Sequence, residues 1–167
     1  MLFGKCEFPQ KTVGFIRIFM LSIPEYGKRI RLAREKSNLE IYDIAVLLDI
    51  TWESASDLEA FDDEVLTCIS IKKFLILCNA IQVMPVELLS QGSDVESFSK
   101  ITFDELTHEI RKYLTQNNLT LIELENKVGW NLGEALSKPE IFFQYNLDCL
   151  KDVCAEIGIN WLAVLAA

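Results

Sequence analysis

Apolar residues recur at intervals of three and four positions along most of this chain, which is the spacing of one face of an α-helix. Five such segments are predicted before residue 90, at 25–36, 41–48, 53–61, 71–81 and 85–89. Five more are predicted after residue 100, at 104–116, 121–128, 132–136, 147–157 and 161–165. The pattern therefore predicts an all-α protein.

The residues at the segment ends agree with these boundaries. Thr51 and Thr120 stand where a helix favours an N-cap hydroxyl, and Asn-Leu at 38–39 and at 118–119 supplies a tight break after a helix. No alternating run is long enough to predict a sheet. One stretch, "TVGFIRIFM" at 12–20, is rich in β-branched and aromatic residues and could form a strand or a helix.

The chain also contains an internal repeat. "IRLAREKSNL" at 30–39 matches "IRKYLTQNNL" at 110–119 at an offset of 80 residues, and the match continues to Ala55 and Ala135. The offset then falls to 76, where Ile71, Phe74, Leu77, Cys78 and Ile81 match Leu147, Leu150, Val153, Cys154 and Ile157. Two copies of one helical unit are therefore expected.

The repeat and the polar stretch between its copies divide the chain into four parts. We expect an N-terminal extension at 1–19, a first unit at 20–90, a linker at 91–100 and a second, more diverged unit at 101–167. The apolar run near the N-terminus is interrupted by Arg17 and is too short to span a bilayer, so neither a signal peptide nor membrane association is predicted.

The first copy carries a characteristic set of apolar, small and polar residues: Ile30, Arg34, Leu39, Ile44, Ala45, Leu48, Ile50, Thr51, Ala55, Ser56, Leu58 and Glu59. This pattern resembles the Cro/CI-type helix-turn-helix domain, the lambda repressor-like fold. The resemblance covers 25–89 well and 104–165 more weakly. It implies two tandem five-helix units, a turn motif made by the second and third helices of each, and a third helix placed in the DNA major groove.

The resemblance also implies one structural ion pair. In such domains an Arg of the first helix pairs with a Glu at the end of the third, and Arg34 and Glu59 occupy these positions. The matching residues of the second copy are Leu114 and Pro139, so both partners are replaced together. Joint replacement is reasonable because one buried charge left alone costs roughly 3–5 kcal/mol.

The positions that contact DNA depart from the family. Members commonly place Gln at the start of the second helix and Gln or Arg early in the third, where these side chains touch phosphates and base edges. This chain has apolar residues at all four positions: Ile41, Trp52, Leu121 and Leu132.

Charge departs from the family as well. The stretch "TWESASDLEAFDDE" at 51–64 has six acidic residues, among them Glu53 and Asp57, and no Lys or Arg. The net charge of the chain is −9, and residues 25–93 and 101–167 each carry −5, as seven basic against twelve acidic residues and five against ten. The basic residues of the first copy concentrate on its first helix, which forms either a solvated face with one structural Arg or an edge that touches phosphates.

Composition adds few chemical signals. Half of the residues are apolar and 25% are charged, as in soluble globular proteins. The five cysteines show no CxxC spacing and His108 is the only histidine, so no metal site or cofactor is predicted. Reduced thiols favour the cytoplasm. No catalytic triad or Gly-rich phosphate loop is present, so an enzyme is not expected.

Three functions remain open in unequal measure. The first is a non-enzymatic regulatory protein that contacts a protein partner, or itself, through Ile41, Trp52, Leu121 and Leu132; acids around an exposed Trp suit a basic, partly apolar partner. These residues could instead join the two copies or pack under 1–19. The second is a sequence-specific DNA-binding transcription regulator, which the charge disfavours. The third, an enzyme, lacks any candidate constellation.

Overall fold

The computed structural model describes residues 25–90 and 99–167, and within them all regular elements are helices. The six helices of the first half are α1 (Tyr26–Lys36), α2 (Ile41–Leu48), α3 (Trp52–Ala60), α4 (Asp62–Thr67), α5 (Ile71–Ala80) and α6 (Pro85–Leu89). Those of the second half are α7 (Phe103–Asn117), α8 (Leu121–Val128), α9 (Gly133–Ser137), the 3-10 helix η1 (Pro139–Gln144), α10 (Leu147–Ile157) and α11 (Trp161–Leu165). The all-α prediction is confirmed for this part of the chain.

The capping residues explain why these boundaries lie close to the predicted ones. The Thr51 hydroxyl accepts a hydrogen bond from the Ser54 N–H at 3.1 Å, and Thr120 accepts from Glu123 at 3.3 Å. Asn38 and Asn118 follow the first helix of each half with φ of 55° and 52°, a left-handed conformation that asparagine tolerates. Local side-chain chemistry therefore ends the helices where the apolar pattern ends.

Two short helices, α4 and η1, were not predicted. Each has only six residues, which is too few positions for a three-four apolar period to show. The acids at 62–64 occupy the first turn of α4, where the helix dipole favours negative charge. Asp62 also accepts the backbone N–H of Gly27 at 2.9 Å, which ties α4 to the start of α1. Within residues 25–90 and 99–167, each half thus has six helical elements rather than the five predicted.

The two halves share one hydrophobic core, which contains Ile30, Leu58 and Phe74 of the first half together with Phe142 and Leu150 of the second. Contacts between the halves are reciprocal in terms of the repeat: α4 contacts α10, η1 (the counterpart of α4) contacts α5 (the counterpart of α10), and α6 contacts its own counterpart α11.

The centre of this junction is a single antiparallel bridge between Ser70 and Asn146, which match at the offset of 76 residues. The Ile71 N–H donates to the Tyr145 carbonyl at 2.7 Å, and the Asn146 side chain donates to the Thr67 carbonyl at 3.0 Å. Reciprocal contacts of this kind are the pattern of a two-fold interface between identical subunits, here within one chain.

Several predictions fall on residues outside the described part. The extension at 1–19, the strand or helix at 12–20 and the start of the unit predicted at 20–90 belong to them, as does most of the linker predicted at 91–100. Among the described residues, no helix combines the length and the apolar character needed to cross a membrane.

Candidate interaction surface

The structure brings Arg34 and Glu59 together as a bidentate ion pair. The Arg34 Nε lies 2.5 Å from one Glu59 carboxylate oxygen and Nη2 lies 3.0 Å from the other, with both side chains about one tenth exposed. The hydrogen bond to Glu59 is the main reason that the pKa of Arg34 is raised above its usual range. Arg34 also donates to the Leu39 carbonyl at 2.7 Å, so the pair joins α1, the first residues after it and α3.

The second half replaces this pair with two other polar contacts. Arg111 of α7 donates to the Leu136 carbonyl near the end of α9. Glu125 of α8 accepts the backbone N–H groups of Leu132 and Gly133 at 2.6 and 3.0 Å, and so caps the start of α9. One polar contact at each end of α9 therefore connects this helix to α7 and α8.

Exposed apolar side chains are concentrated on α2 and at the start of α3. Tyr42, Val46 and Leu47 of α2 are 65%, 64% and 44% exposed, and Trp52 at the start of α3 is 53% exposed. Eight large apolar side chains are exposed in the described residues, and four of them lie between 42 and 52. We call Tyr42, Val46, Leu47 and Trp52 the apolar face.

The cause lies in the composition of α2, whose sequence "IYDIAVLL" contains one polar residue. Ile44, Ala45 and Leu48 enter the core, and Ile41 is half-buried against it. One side of α2 thus provides all the burial that the fold requires, and the other side remains apolar and uncovered. A helix that is apolar on every side is normally covered on every side.

Trp52, at the start of α3, differs from Trp130, which lies between α8 and α9. The indole N–H of Trp130 donates to the Asp152 carboxylate at 3.1 Å, and Trp130 is half-buried. The indole N–H of Trp52 has no hydrogen-bond partner in the part of the chain that the structure describes, and more than half of its surface is open. Trp side chains with one apolar body and one free donor are typical of protein interfaces.

Acidic residues surround the apolar face in sequence and in the helices that carry it. Residues 37–71 contain nine Asp and Glu and no Lys or Arg. Glu53 and Asp57 are exposed on α3, and the pKa of Glu53 is lowered by hydrogen bonds from its own backbone and from Thr51, so it is ionised at neutral pH. Lys73 of α5 donates to the Asp49 carbonyl at 3.1 Å, at the end of α2.

The second half does not repeat this surface. Leu132 was predicted to belong to the interaction face, and this prediction is wrong because its side chain is fully buried. Leu132 is the N-cap of α9, one position before the helix, and Glu125 binds its N–H, whereas Trp52 is the first residue of α3. Leu121 is half-buried against the core.

The polarity of α8 also differs from that of α2. Ile122, which matches Tyr42, is 68% exposed, but Asn126 and Lys127 match Val46 and Leu47. Of the predicted face, Trp52, Glu53 and Asp57 are therefore exposed, Ile41 and Leu121 are partly covered by their own chain, and Leu132 is excluded.

The basic residues of α1 engage their own chain. Arg29 donates to the Leu88 carbonyl at 2.9 Å and to the Ser90 carbonyl, where it binds the end of α6. Lys28 pairs with Glu25 and Arg31 pairs with Glu35, each at 3.1 Å on the surface. This arrangement favours a solvated face over an edge reserved for phosphates.

Reactive groups are few in the described residues. Cys78, Cys149 and Cys154 are buried free thiols, and burial raises the pKa of each to about 12, so none is a thiolate at neutral pH. His108 is exposed on α7. No group of three or more His, Cys, Asp and Glu in residues 25–90 and 99–167 is arranged to hold a metal ion.

The contributions of Tyr42, Val46 and Leu47 were missed by the sequence analysis, which searched only the positions where the family contacts DNA. The signal was present in the composition of α2, since a helix with one polar residue in eight must either be covered on all sides or expose apolar surface. Which of the two occurs depends on the neighbouring helices.

Comparison with known proteins adds no relative: no protein-family model, no curated protein and no solved structure matches this chain.

Proposed function

We propose that this protein is a non-enzymatic regulatory protein of the helix-turn-helix type, with two tandem lambda repressor-like units that act through protein–protein contacts. The observation that carries the proposal is the surface of α2 and α3. The helices that would contact DNA in such a unit instead present Tyr42, Val46 and Trp52 among acids, without a Lys or Arg between residues 37 and 71.

Electrostatics supports protein contact over DNA contact at this surface. A DNA-binding protein gains most of its affinity by neutralising phosphates with Lys and Arg, each contact releasing counterions. Glu53 and Asp57 would instead bring carboxylates toward the phosphate backbone. The repulsion between these carboxylates and the phosphates is screened beyond about 8 Å at physiological ionic strength. It therefore remains effective at the short distances at which a protein contacts DNA.

The chemistry of the described residues supports a non-enzymatic role. The buried thiols hold their protons, and the single histidine, His108, is exposed on α7. A catalytic site needs a nucleophile, a base and an orienting group within hydrogen-bond reach.

A sequence-specific DNA-binding regulator is the second candidate. The short turn at 49–51, the Thr51 cap and the Arg34–Glu59 pair are features that a DNA-binding unit of this kind would also need. They position α3 but do not supply its contacts with bases.

Site-specific photo-crosslinking in the native cell tests the proposal. A photoreactive amino acid replaces Tyr42 in one variant and Ile122 in the other, because the two positions match in the repeat and are similarly exposed. We expect protein adducts at position 42 that are absent or far weaker at position 122. Adducts to DNA at position 42, or equal protein adducts at both positions, contradict the proposal.

Selection from a pool of random DNA duplexes by the full chain separates the two candidates. At about 0.15 M salt we expect no enriched sequence. An enriched duplex whose binding is lost in Trp52→Ala and Asp57→Ala, and kept in Ile122→Ala, would establish the DNA-binding regulator instead.

A further inference from the structure

We propose that the apolar face binds a cationic protein segment, one that carries Lys or Arg beside two or more aliphatic or aromatic side chains. This inference rests on the proposed function, which places a protein partner at this surface, and it names the chemistry of that partner.

The apolar part of the proposal follows from what covers the two sides of α2. Its inner side is in the core, while Tyr42 and Val46, four positions apart, lie along one outer stripe, with Leu47 beside it. Trp52 begins the next helix after a turn of three residues. Four large exposed apolar side chains thus lie on two helices that contact each other, and Trp and Tyr are residues in which interface energy often concentrates.

The matched helix of the second half shows that the fold does not require this surface. α8 has the same length as α2 and the same place in its half, yet Asn126 and Lys127 stand where α2 has Val46 and Leu47. Polar residues are therefore compatible with the outer side of this helix. The apolar side chains of α2 need an explanation other than folding.

The cationic part of the proposal follows from the charges around the face. Asp43 and Asp49 lie on or directly after α2, and Glu53 and Asp57 lie on the exposed side of α3. Asp43 is engaged in a capping contact, accepting the Glu40 N–H at 2.8 Å. Charges at the rim of an interface select partners of opposite sign and repel those of like sign.

The positive groups near the face do not cancel these acids. Arg34 is paired with Glu59, and Lys73 approaches only the carbonyl at the end of α2. Glu53 and Asp57 have no basic partner within salt-bridge distance among the described residues. The acids repel a DNA duplex, and a neutral apolar partner leaves them unpaired. A segment that is basic and partly apolar pairs with the acids and also covers the apolar side chains.

A display library of random peptides, with basic, acidic and apolar residues equally represented, provides the probe. Selection uses the full chain at about 0.15 M salt. We expect the enriched peptides to be rich in Lys and Arg and to retain apolar positions. Enriched peptides that are acidic or uncharged, and whose binding requires Trp52, would overturn the proposal of a cationic partner. They would leave a protein-binding role at this surface intact.

Variants of the apolar face locate the binding. Trp52→Ala and Val46→Ser should each weaken the best peptide, the former by about 30-fold if Trp52 is an interface hot spot. Both side chains are exposed, so folding is retained and is checked by circular dichroism. Ile122→Ala is the matched control and should leave affinity unchanged. Equal losses in all three would overturn the assignment to this face.

Variants of the acids test the charge complementarity. The double variant Glu53→Gln and Asp57→Asn should reduce affinity and flatten its dependence on salt, because fewer charges remain to be screened. The control, Glu134→Gln with Glu140→Gln, removes two exposed acids of the second half and should change neither. An unchanged salt dependence in the first variant would overturn the electrostatic part.

Sedimentation of the free chain addresses a competing occupant, a second copy of the protein. We expect a monomer whose state is the same in the wild type and in Trp52→Ala. A dimer that Trp52→Ala dissociates and that excludes the selected peptides would overturn the proposal in favour of self-association. The proposed function, which includes contact with a protein, would survive that result.

Discussion

Arg34 and its counterpart Leu114 occupy the same place in the repeat but make different contacts: Arg34 forms an ion pair with Glu59, whereas Leu114 is apolar. Arg34 and Glu59 are both nearly buried, so each depends on the other for the hydrogen bonds that it lost with water. The second half has an apolar residue at 114 and binds the end of its short third helix through Arg111 instead. A buried charge pair is thus one of two local solutions for the same helix contact.

Removing Arg34 should be costly because it leaves a buried carboxylate without a partner. We expect Arg34→Ala to lower the free energy of unfolding by about 3–5 kcal/mol, and Arg34→Leu with Glu59→Leu to recover a large part of that loss. The measurement is denaturant unfolding. Arg31→Ala is the control, since its pair with Glu35 is exposed and should be worth about 1 kcal/mol or less. Equal losses for Arg31→Ala and Arg34→Ala would contradict the structural role of the buried pair.

The contact between α1 and α3 depends on a glycine that the apolar pattern does not reveal. Gly27 lies at the start of α1, directly against the end of α3, and a Cβ added there would meet the Glu59 carbonyl oxygen at 2.8 Å. The obstacle is backbone, which cannot turn aside as a flexible side chain can. The close crossing of these two helices also brings Arg34 within reach of Glu59.

Gly27→Ala should therefore destabilise the protein despite the higher helix propensity of alanine. We expect a loss of about 1–3 kcal/mol in thermal or denaturant unfolding, the usual cost of overpacking. Gly133→Ala is the matched control, because the nearest atoms there are at 3.7 Å, an ordinary contact. That variant should be neutral or more stable by up to about 1 kcal/mol. An unchanged free energy of unfolding in Gly27→Ala would mean that α1 and α3 can move apart without destabilising the protein.

On the scale of the whole molecule, the two halves behave as partners in a dimer that share one chain. The contacts across the junction are reciprocal, α4 with α10 and η1 with α5, and the core includes residues of both halves. Among the described residues, the main contacts between the halves are made by α4, α5, α6, η1, α10 and α11, and not by α2 and α3 or by α8 and α9. The first half then carries the apolar face, and the second half packs against α4, α5 and α6 of the first.

A shared core predicts a single cooperative unfolding transition. Phe142 is fully buried, stacks on Phe103 with ring centroids 5.5 Å apart and belongs to η1, which contacts α5 of the first half. We expect Phe142→Ala to cost about 3–5 kcal/mol and to lower the unfolding midpoint reported from the first half as much as that from the second.

Tryptophan fluorescence can follow each half separately if Trp52 is retained in one variant and Trp130 in another. Ile122→Ala, which removes an exposed side chain, is the control and should change stability by no more than about 0.5 kcal/mol. Two separate transitions, with only the second-half midpoint shifted by Phe142→Ala, would show that the halves fold independently.

The sequence by itself determined the helices and where they end. Ten helical segments were predicted at their observed places to within one residue at either end, because a three-four apolar period and the capping residues Thr51, Thr120 and Asn118 are local signals. The internal match also anticipated which elements correspond. Helices α4 and η1 escaped because they are too short for a period to show.

Only the tertiary structure decided which apolar side chains are covered. The sequence of α2 does not indicate which side of the helix enters the core. The sequences around Leu132 and Trp52 likewise do not indicate that Leu132 is buried and Trp52 is exposed. Burial depends on residues far away in the chain, such as Glu125, which caps α9 and leaves Leu132 just outside the helix. Periodicity is a property of neighbours in sequence, whereas exposure is a property of neighbours in space.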